Sequence, residues 1–195
     1  MNYLYYMSAG LASVLLYRLV TRSKDRVKGK YKRLVDLLLD GDRPDLVKGL
    51  IEVMDKPRAF FMRHSALFEA YDLDADHLPS VCDLQLLILA HGLKETHNFQ
   101  MIDWCQANED SLHFLNQILE GKGLSPLDLS EEDLGLGQAY DFLCLCGRQL
   151  QEQGQVLLEL GRGNDAYEFF ILDQDKKEEV MSLAKDLGLA LSVMD

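Results

Sequence analysis

The densest set of chemistry-bearing residues is the acidic run Asp72-Leu73-Asp74-Ala75-Asp76-His77-Leu78-Pro79-Ser80-Val81-Cys82-Asp83. Asp72, Asp74 and Asp76 stand at positions 1, 3 and 5 of a loop between two predicted helices, with Ser80 at position 9 and Asp83 at position 12. Carboxylates brought to one point repel unless a cation neutralises them, which is the logic of a calcium-binding helix–loop–helix. Three departures weigh against it. His77 holds the place where the sharp turn wants glycine, Pro79 removes a backbone donor, and Asp83 reaches less far than a bidentate glutamate. The simpler expectation is a solvated acidic turn in which Ser80 and Asp83 form a capping box for the next helix.

A second constellation is Asp103-Trp104, at the end of the apolar run Phe99–Ile102. An acid inside such a run reads either as a pocket carboxylate beside the only tryptophan, with Arg162 and Asn164 of a later turn nearby, or as a strand-terminal cap. His64, His77, His91, His97 and His113 show no metal-ligand spacing, and surface or capping roles are the default for them. His91 and His97 flank Gly92 and Glu95 in the densest polar cluster near a helix end. There is no Gly-x-Ser-x-Gly elbow and no Walker or dinucleotide loop; Gly135-Leu136-Gly137 and Gly161-Arg162-Gly163 are too short for either. No catalytic residues are assigned and no cofactor is expected.

The elements that must position these groups follow from periodicity. Leu34–Leu39 continue a basic helix, and Gly41-Asp42-Arg43-Pro44 breaks it. Pro44 opens a helix with Leu46, Val47, Leu50, Ile51 and Met54 at helical spacing. Phe60–Tyr71 predicts a third helix and Val81–Ala90 a fourth, with Gly92 as its stop. Phe99–Cys105 reads as a buried strand, and Asn108 as the cap of a helix over Leu112–Leu119. Ala139–Leu150 predicts another helix. Val156–Leu160 and Ala166–Leu172 form a hairpin across Gly161-Arg162-Gly163-Asn164-Asp165. Asp175 and Glu178 predict a capping box for a helix ending at Gly188, and Leu189–Val193 gives a last strand. The expected class is α+β: a helical N-terminal half, then a small, largely antiparallel sheet with helices on one face.

Charge divides the chain unevenly. Residues 1–33 carry eight cations against Asp25 alone, a net of +7, whereas the chain as a whole carries −12. Residues 34–195 therefore hold −19. Tyr3–Tyr17 contains no charged residue and its apolar side chains surround the helical wheel. With Leu19 and Val20 the run approaches the roughly 17–25 residues of a spanning helix. Tyrosines at one end and cations at the other match an aromatic belt and a positive-inside flank. The order of charge and apolar core is the reverse of a cleaved signal peptide. Residues 1–23 are thus read as a hydrophobic, transmembrane anchor with a basic flank. Residues 24–195 are read as one acidic domain, helical over 24–95 and sheet-forming over 96–195. The body is expected on the cytoplasmic side of the inner membrane, with a packed helix and a cytoplasmic protein as the alternative. Cys82, Cys105, Cys144 and Cys146 lack any Cys-x-x-Cys pair and read as reduced, buried thiols.

The strand ending in Asp103-Trp104, the hairpin with Asn164-Asp165-x-Tyr167 and the closing helix–strand pair resemble a family of small bacterial α+β domains of unknown function. That resemblance covers about half the chain and implies a fold without an activity. Function is then read from charge. The expectation is a non-enzymatic interaction or regulatory module presenting an acidic surface to a protein partner, an immunity-like inhibitor of a basic toxin being one form, with no nucleic-acid binding. The alternatives are a small hydrolase or ligand-binding enzyme using Asp103, Trp104 and a histidine, and the calcium-binding helix–loop–helix.

Overall fold

The sheet is built from two long strands that bury both faces and two short ones that guard its edges. In the computed structural model, residues 23–39, 41–69, 79–162 and 166–195 are described. Helix α1 (residues 23–39) is followed by α2 (Pro44–Asp55), α3 (Pro57–Arg63), α4 (Ser65–Glu69) and α5 (Val81–Glu95). Then come β1 (Gln100–Asp103), α6 (Asn108–Gly121), α7 (Glu131–Leu134), α8 (Ala139–Glu152), β2 (Gln155–Leu160), β3 (Ala166–Asp173), α9 (Lys177–Leu187) and β4 (Leu191–Val193). The strands lie in the order β1-β3-β2-β4 and every neighbouring pair is antiparallel. The class is α+β, with the helical half first.

Helices cover both faces of this sheet rather than one. Val156, Leu158, Leu160, Phe170 and Leu172 pack with α1, α2, α5 and α9, while Ile102, Leu157, Phe169 and Ile171 pack with α6 and α8. The cause lies in β2, Gln-Val-Leu-Leu-Glu-Leu, which has almost no polar alternation to leave one side wet. Short edges limit further pairing. At β1 the buried side chain of Asn98 extends the ladder, donating to the Ile171 carbonyl (2.8 Å) and accepting from its N–H (3.1 Å).

Several boundaries depart from periodicity for identifiable reasons. Gly92 does not stop α5. It sits within the helix where α2 crosses, and a Cβ there would lie 2.5 Å from a Leu46 methyl. The helix ends at Glu95 with Thr96 as its cap, and the left-handed φ of 57° at His97 lets the Asn98 N–H reach the Leu93 carbonyl. The third predicted helix is broken at His64 into α3 and α4. The first strand is shorter than Phe99–Cys105, because Asp103 turns the chain. Asp175 and Glu178 form no capping box, since a 3-10 turn over Gln174–Lys176 leads into α9. Gly188, at φ 71°, closes α9 as expected.

Helix α1 is part of the body. Tyr31, Leu34 and Val35 are buried, and the buried Gln85 amide of α5 donates to the Tyr31 hydroxyl at 2.6 Å. Its cations bind acids far along the chain: Lys24 to Asp55, Lys30 to Asp186 and Arg33 to Glu179. Of the segment 1–23 read above as the anchor, residues 1–22, including the apolar stretch 3–20, lie outside the described residues. Among the described residues, no helix is long and apolar enough to cross a membrane.

Candidate functional site

The turn from β1 into α6 brings the only tryptophan to the surface. Asp103 ends β1 and its Oδ1 accepts from the Cys105 N–H and from the Cys105 thiol, both at 3.1 Å. These donors hold the carboxyl below its usual range, and the same carboxylate, before any other cause, pushes the Cys105 thiol up. Cys105 is therefore a protonated thiol at neutral pH. Unlike the buried Cys144 and Cys146, it is exposed, because the strand has already ended.

Beside Trp104 lies an open cleft of about 750 Å³, lined among others by Cys105, Asn108, Leu136, Gln138 and Tyr167. Asn108 builds it. Rather than capping α6, where Ala107 occupies the cap position, its buried amide donates to the carbonyls of Leu134 (2.9 Å) and Leu136 (2.7 Å). That clamps the α7–α8 link against the start of α6. Ser130 and Asp133 form a capping box for α7, and Ser130 holds the Asp133 carboxyl below its usual range. Tyr140 of α8 and Tyr167 of β3 stand with ring centroids 6.0 Å apart. Trp104 is 64% exposed, Tyr140 44% and Leu136 38%. Single exposed apolar residues need no explanation, but Trp104 and Leu136 both line this cleft, and Tyr140 stands beside its wall residue Tyr167.

The segment that carries Trp104 and most of the cleft wall is acidic. Between Asp103 and Asp141 nine carboxylates face Lys122 alone, a net of −8 in a chain of −12. Among the described residues, no salt bridge uses any of those nine. Of the nine, Glu109 lines the cleft, an aromatic hollow whose lining holds hydrogen-bonding groups rather than a matched acid and base.

The residues singled out from sequence do not all meet here. Trp104 lines the cleft; Asp103, its carboxylate engaged by Cys105, does not. Arg162 pairs with Glu168, its Nε donating to Oε2 at 2.6 Å, and both side chains are largely buried. Glu168 points to the opposite face of β3 from Tyr167, so Arg162 is held away from the cleft. Asn164 and the acids Asp72, Asp74 and Asp76 lie outside the described residues. Asp83 is described, and its carboxylate accepts from the Ser80 N–H and hydroxyl in the expected capping box. His64 packs tilted against the Phe60 ring (centroids 4.4 Å apart), His91 lies 3.5 Å from Glu95, and His113 bonds Gln117. Among the described residues, no three His, Cys, Asp or Glu side chains are grouped to hold a metal. Sequence reasoning missed Tyr140, Leu136 and Asn108. The density of acids across 103–141 was the available signal.

The fold is a small α+β domain with a four-stranded antiparallel sheet between two helical layers. By sequence the chain belongs to the family described as a domain of unknown function, DUF6630, whose model matches residues 30–194. The match takes in the helical half as well as the sheet. No curated protein matches the chain, and no solved structure does.

Proposed function

We propose that this chain is a non-enzymatic interaction module that docks a protein partner at the Trp104 cleft, the partner offering a cationic surface with an apolar or aromatic anchor. The observation that carries the reading is Trp104 itself, 64% exposed at the rim of an aromatic cleft inside a segment of net −8. Covering the exposed remainder of a tryptophan contributes roughly 3–4 kcal/mol, enough for one residue to dominate an interface. Glu109 at the cleft and the other carboxylates of its segment supply steering and charge selection. An acidic inhibitor of a basic toxin is one concrete form. In the full reading, residues 3–20 tether the domain to the inner membrane with the cleft on the cytoplasmic side. The tether is supported by the uncharged run Tyr3–Tyr17. The enzymatic alternative requires Asp103 and a histidine in one cleft, and the engagement of Asp103 by Cys105 favours the binding reading.

The test is photo-crosslinking in cells with a benzophenone amino acid at Tyr140, comparing the native chain with Trp104→Ala and Glu109→Lys/Asp110→Lys variants. The expected result is a discrete adduct to a basic protein, lost in both variants while the melting temperature holds. Adducts of unchanged identity and yield in Trp104→Ala would sink the proposal.

A further inference from the structure

On the other helical layer, α1 and α2 enclose a groove of about 610 Å³ whose character is the reverse of the cleft. Its floor is Pro44, Val47 and Ile51, which recur along one face of α2, and its rails are Lys28 and Lys32 of α1 with Lys48 of α2. Lys32 is bound to Asp36 and Asp42, Asp42 being the one acid that lines the groove. Lys28 and Lys48 have no carboxylate partner among the described residues, although this chain carries 32 acids against 20 Lys and Arg. Of the other cations of α1, Lys24 is on Asp55, Lys30 on Asp186 and Arg33 on Glu179, while Arg26 does not line the groove.

We infer that this groove is a binding site for the headgroups of anionic phospholipids, holding the domain against a membrane surface by its α1–α2 face. An apolar floor flanked by ammonium groups matches a headgroup whose phosphate meets the lysines while its glycerol and upper acyl carbons meet Pro44, Val47 and Ile51. Three observations select a lipid over an acidic protein. The lysines stand on flexible stems around a narrow trough, which suits many shallow anions better than one folded surface. The groove runs along α1 at Lys28 and Lys32, and in the sequence α1 comes shortly after the apolar, uncharged run Tyr3–Tyr17. The acidic cleft lies on the opposite layer, so an anionic bilayer attracts one face, repels the other and fixes the orientation. The inference deepens the membrane part of the proposed function and is independent of the partner part.

The experiment uses the full chain with vesicles of phosphatidylcholine alone and of phosphatidylcholine containing about a third phosphatidylglycerol, read by acylation of lysine amines and mass spectrometry. Lys28 and Lys48 are expected to be protected several-fold on the anionic vesicles only, with exposed Lys94 and Lys185 labelled alike on both. Lys28→Gln/Lys48→Gln, both exposed positions, should fold normally and lose the preference for anionic vesicles by roughly 30-fold, at about five-fold for each lysine neutralised. Equal labelling on the two vesicle types overturns the inference. So does equal protection by millimolar inorganic phosphate without lipid, which would make this a site for free anions, and so does protection only by an acidic protein. Failure of the tether reads differently: the chain would wash off both vesicle types in carbonate, while the anionic preference at low salt persisted.

Discussion

Whether α1 is built into the domain decides the geometry of the lysine groove, and the Tyr31–Gln85 contact tests it. Tyr31 is 1% exposed and Gln85 3%, and the Gln85 amide divides its donors between the Tyr31 hydroxyl (2.6 Å) and the Leu50 carbonyl (3.3 Å). Tyr31→Phe keeps the ring and removes the acceptor. One donor is then left with nothing better than the long Leu50 bond, at a cost of about 1–2 kcal/mol. Gln85→Leu strips the hydroxyl of its donor in the same dry core and should cost a similar amount. Replacing both removes the polar pair together, so the double variant should be destabilised less than the two singles combined, with a coupling of about 1 kcal/mol. Urea unfolding read by far-UV circular dichroism gives the cycle, and each 1 kcal/mol corresponds to roughly 2–4 °C in Tm at this size. Additivity within about 0.3 kcal/mol would mean that the side chains do not meet, and α1 would then be a helical extension rather than a wall of the core.

Gly147→Ala should destabilise by about 1–3 kcal/mol in the same assay, because the added Cβ would sit 1.8 Å from the Met194 carbonyl and push out the segment that bonds Leu157. Asp45, Asp173, Glu179 and Asp186 are each held below the usual carboxylate range, first of all by a partner cation: Arg43, Lys176, Arg33 and Lys30 respectively. Folded values below unfolded ones give stability that is complete above the normal carboxylate range and lost as pH falls through it. Tm should therefore be flat from neutrality to about pH 5 and then fall, and Arg33→Met should shallow the fall; an unchanged profile counts against the Arg33–Glu179 pair. Asp103→Asn should speed alkylation of Cys105 at mildly alkaline pH, since it removes the group that pushes that thiol up. Cys146, pushed up to about 12 by burial, should react only on unfolding.

How much of this was legible in the sequence depends on how far apart the interacting residues are. The hairpin was readable because Val156–Leu160 and Ala166–Leu172 are bounded by turn formers within five residues, and the end of α9 because Gly188 follows its last apolar position. Asn108 was read as a cap because capping is the local habit of asparagine. Its real partners, the carbonyls of Leu134 and Leu136, lie 26 and 28 residues away. Gly92 looked like a stop for the same reason, and only the crossing of α2 explains it. Asp103 could be read as a pocket acid or a cap, and the choice turned on the direction of one carboxylate, which periodicity does not encode. The coverage of both sheet faces was in principle visible in the near-continuous apolar run of β2, but strand order was needed to see which helices supply the second layer.

The uneven charge of the chain changes meaning once the partners of the basic helix are known. A net of +7 over residues 1–33 looks like a free cationic flank. Yet Lys24, Lys30, Lys32 and Arg33 are paired within the body, so much of that charge holds α1 in place. Such exposed pairs add little stability individually, but they select one docking of the helix among several. The nine acids between Asp103 and Asp141, by contrast, have no salt-bridge partner among the described residues, so the pairing of α1 leaves that segment as it was, net negative. Raising salt should weaken recognition at both surfaces through screening, while Trp104 keeps whatever affinity rests on apolar burial. A partner whose binding vanished entirely at high salt would be held by the acids alone, and the aromatic cleft would then be a bystander.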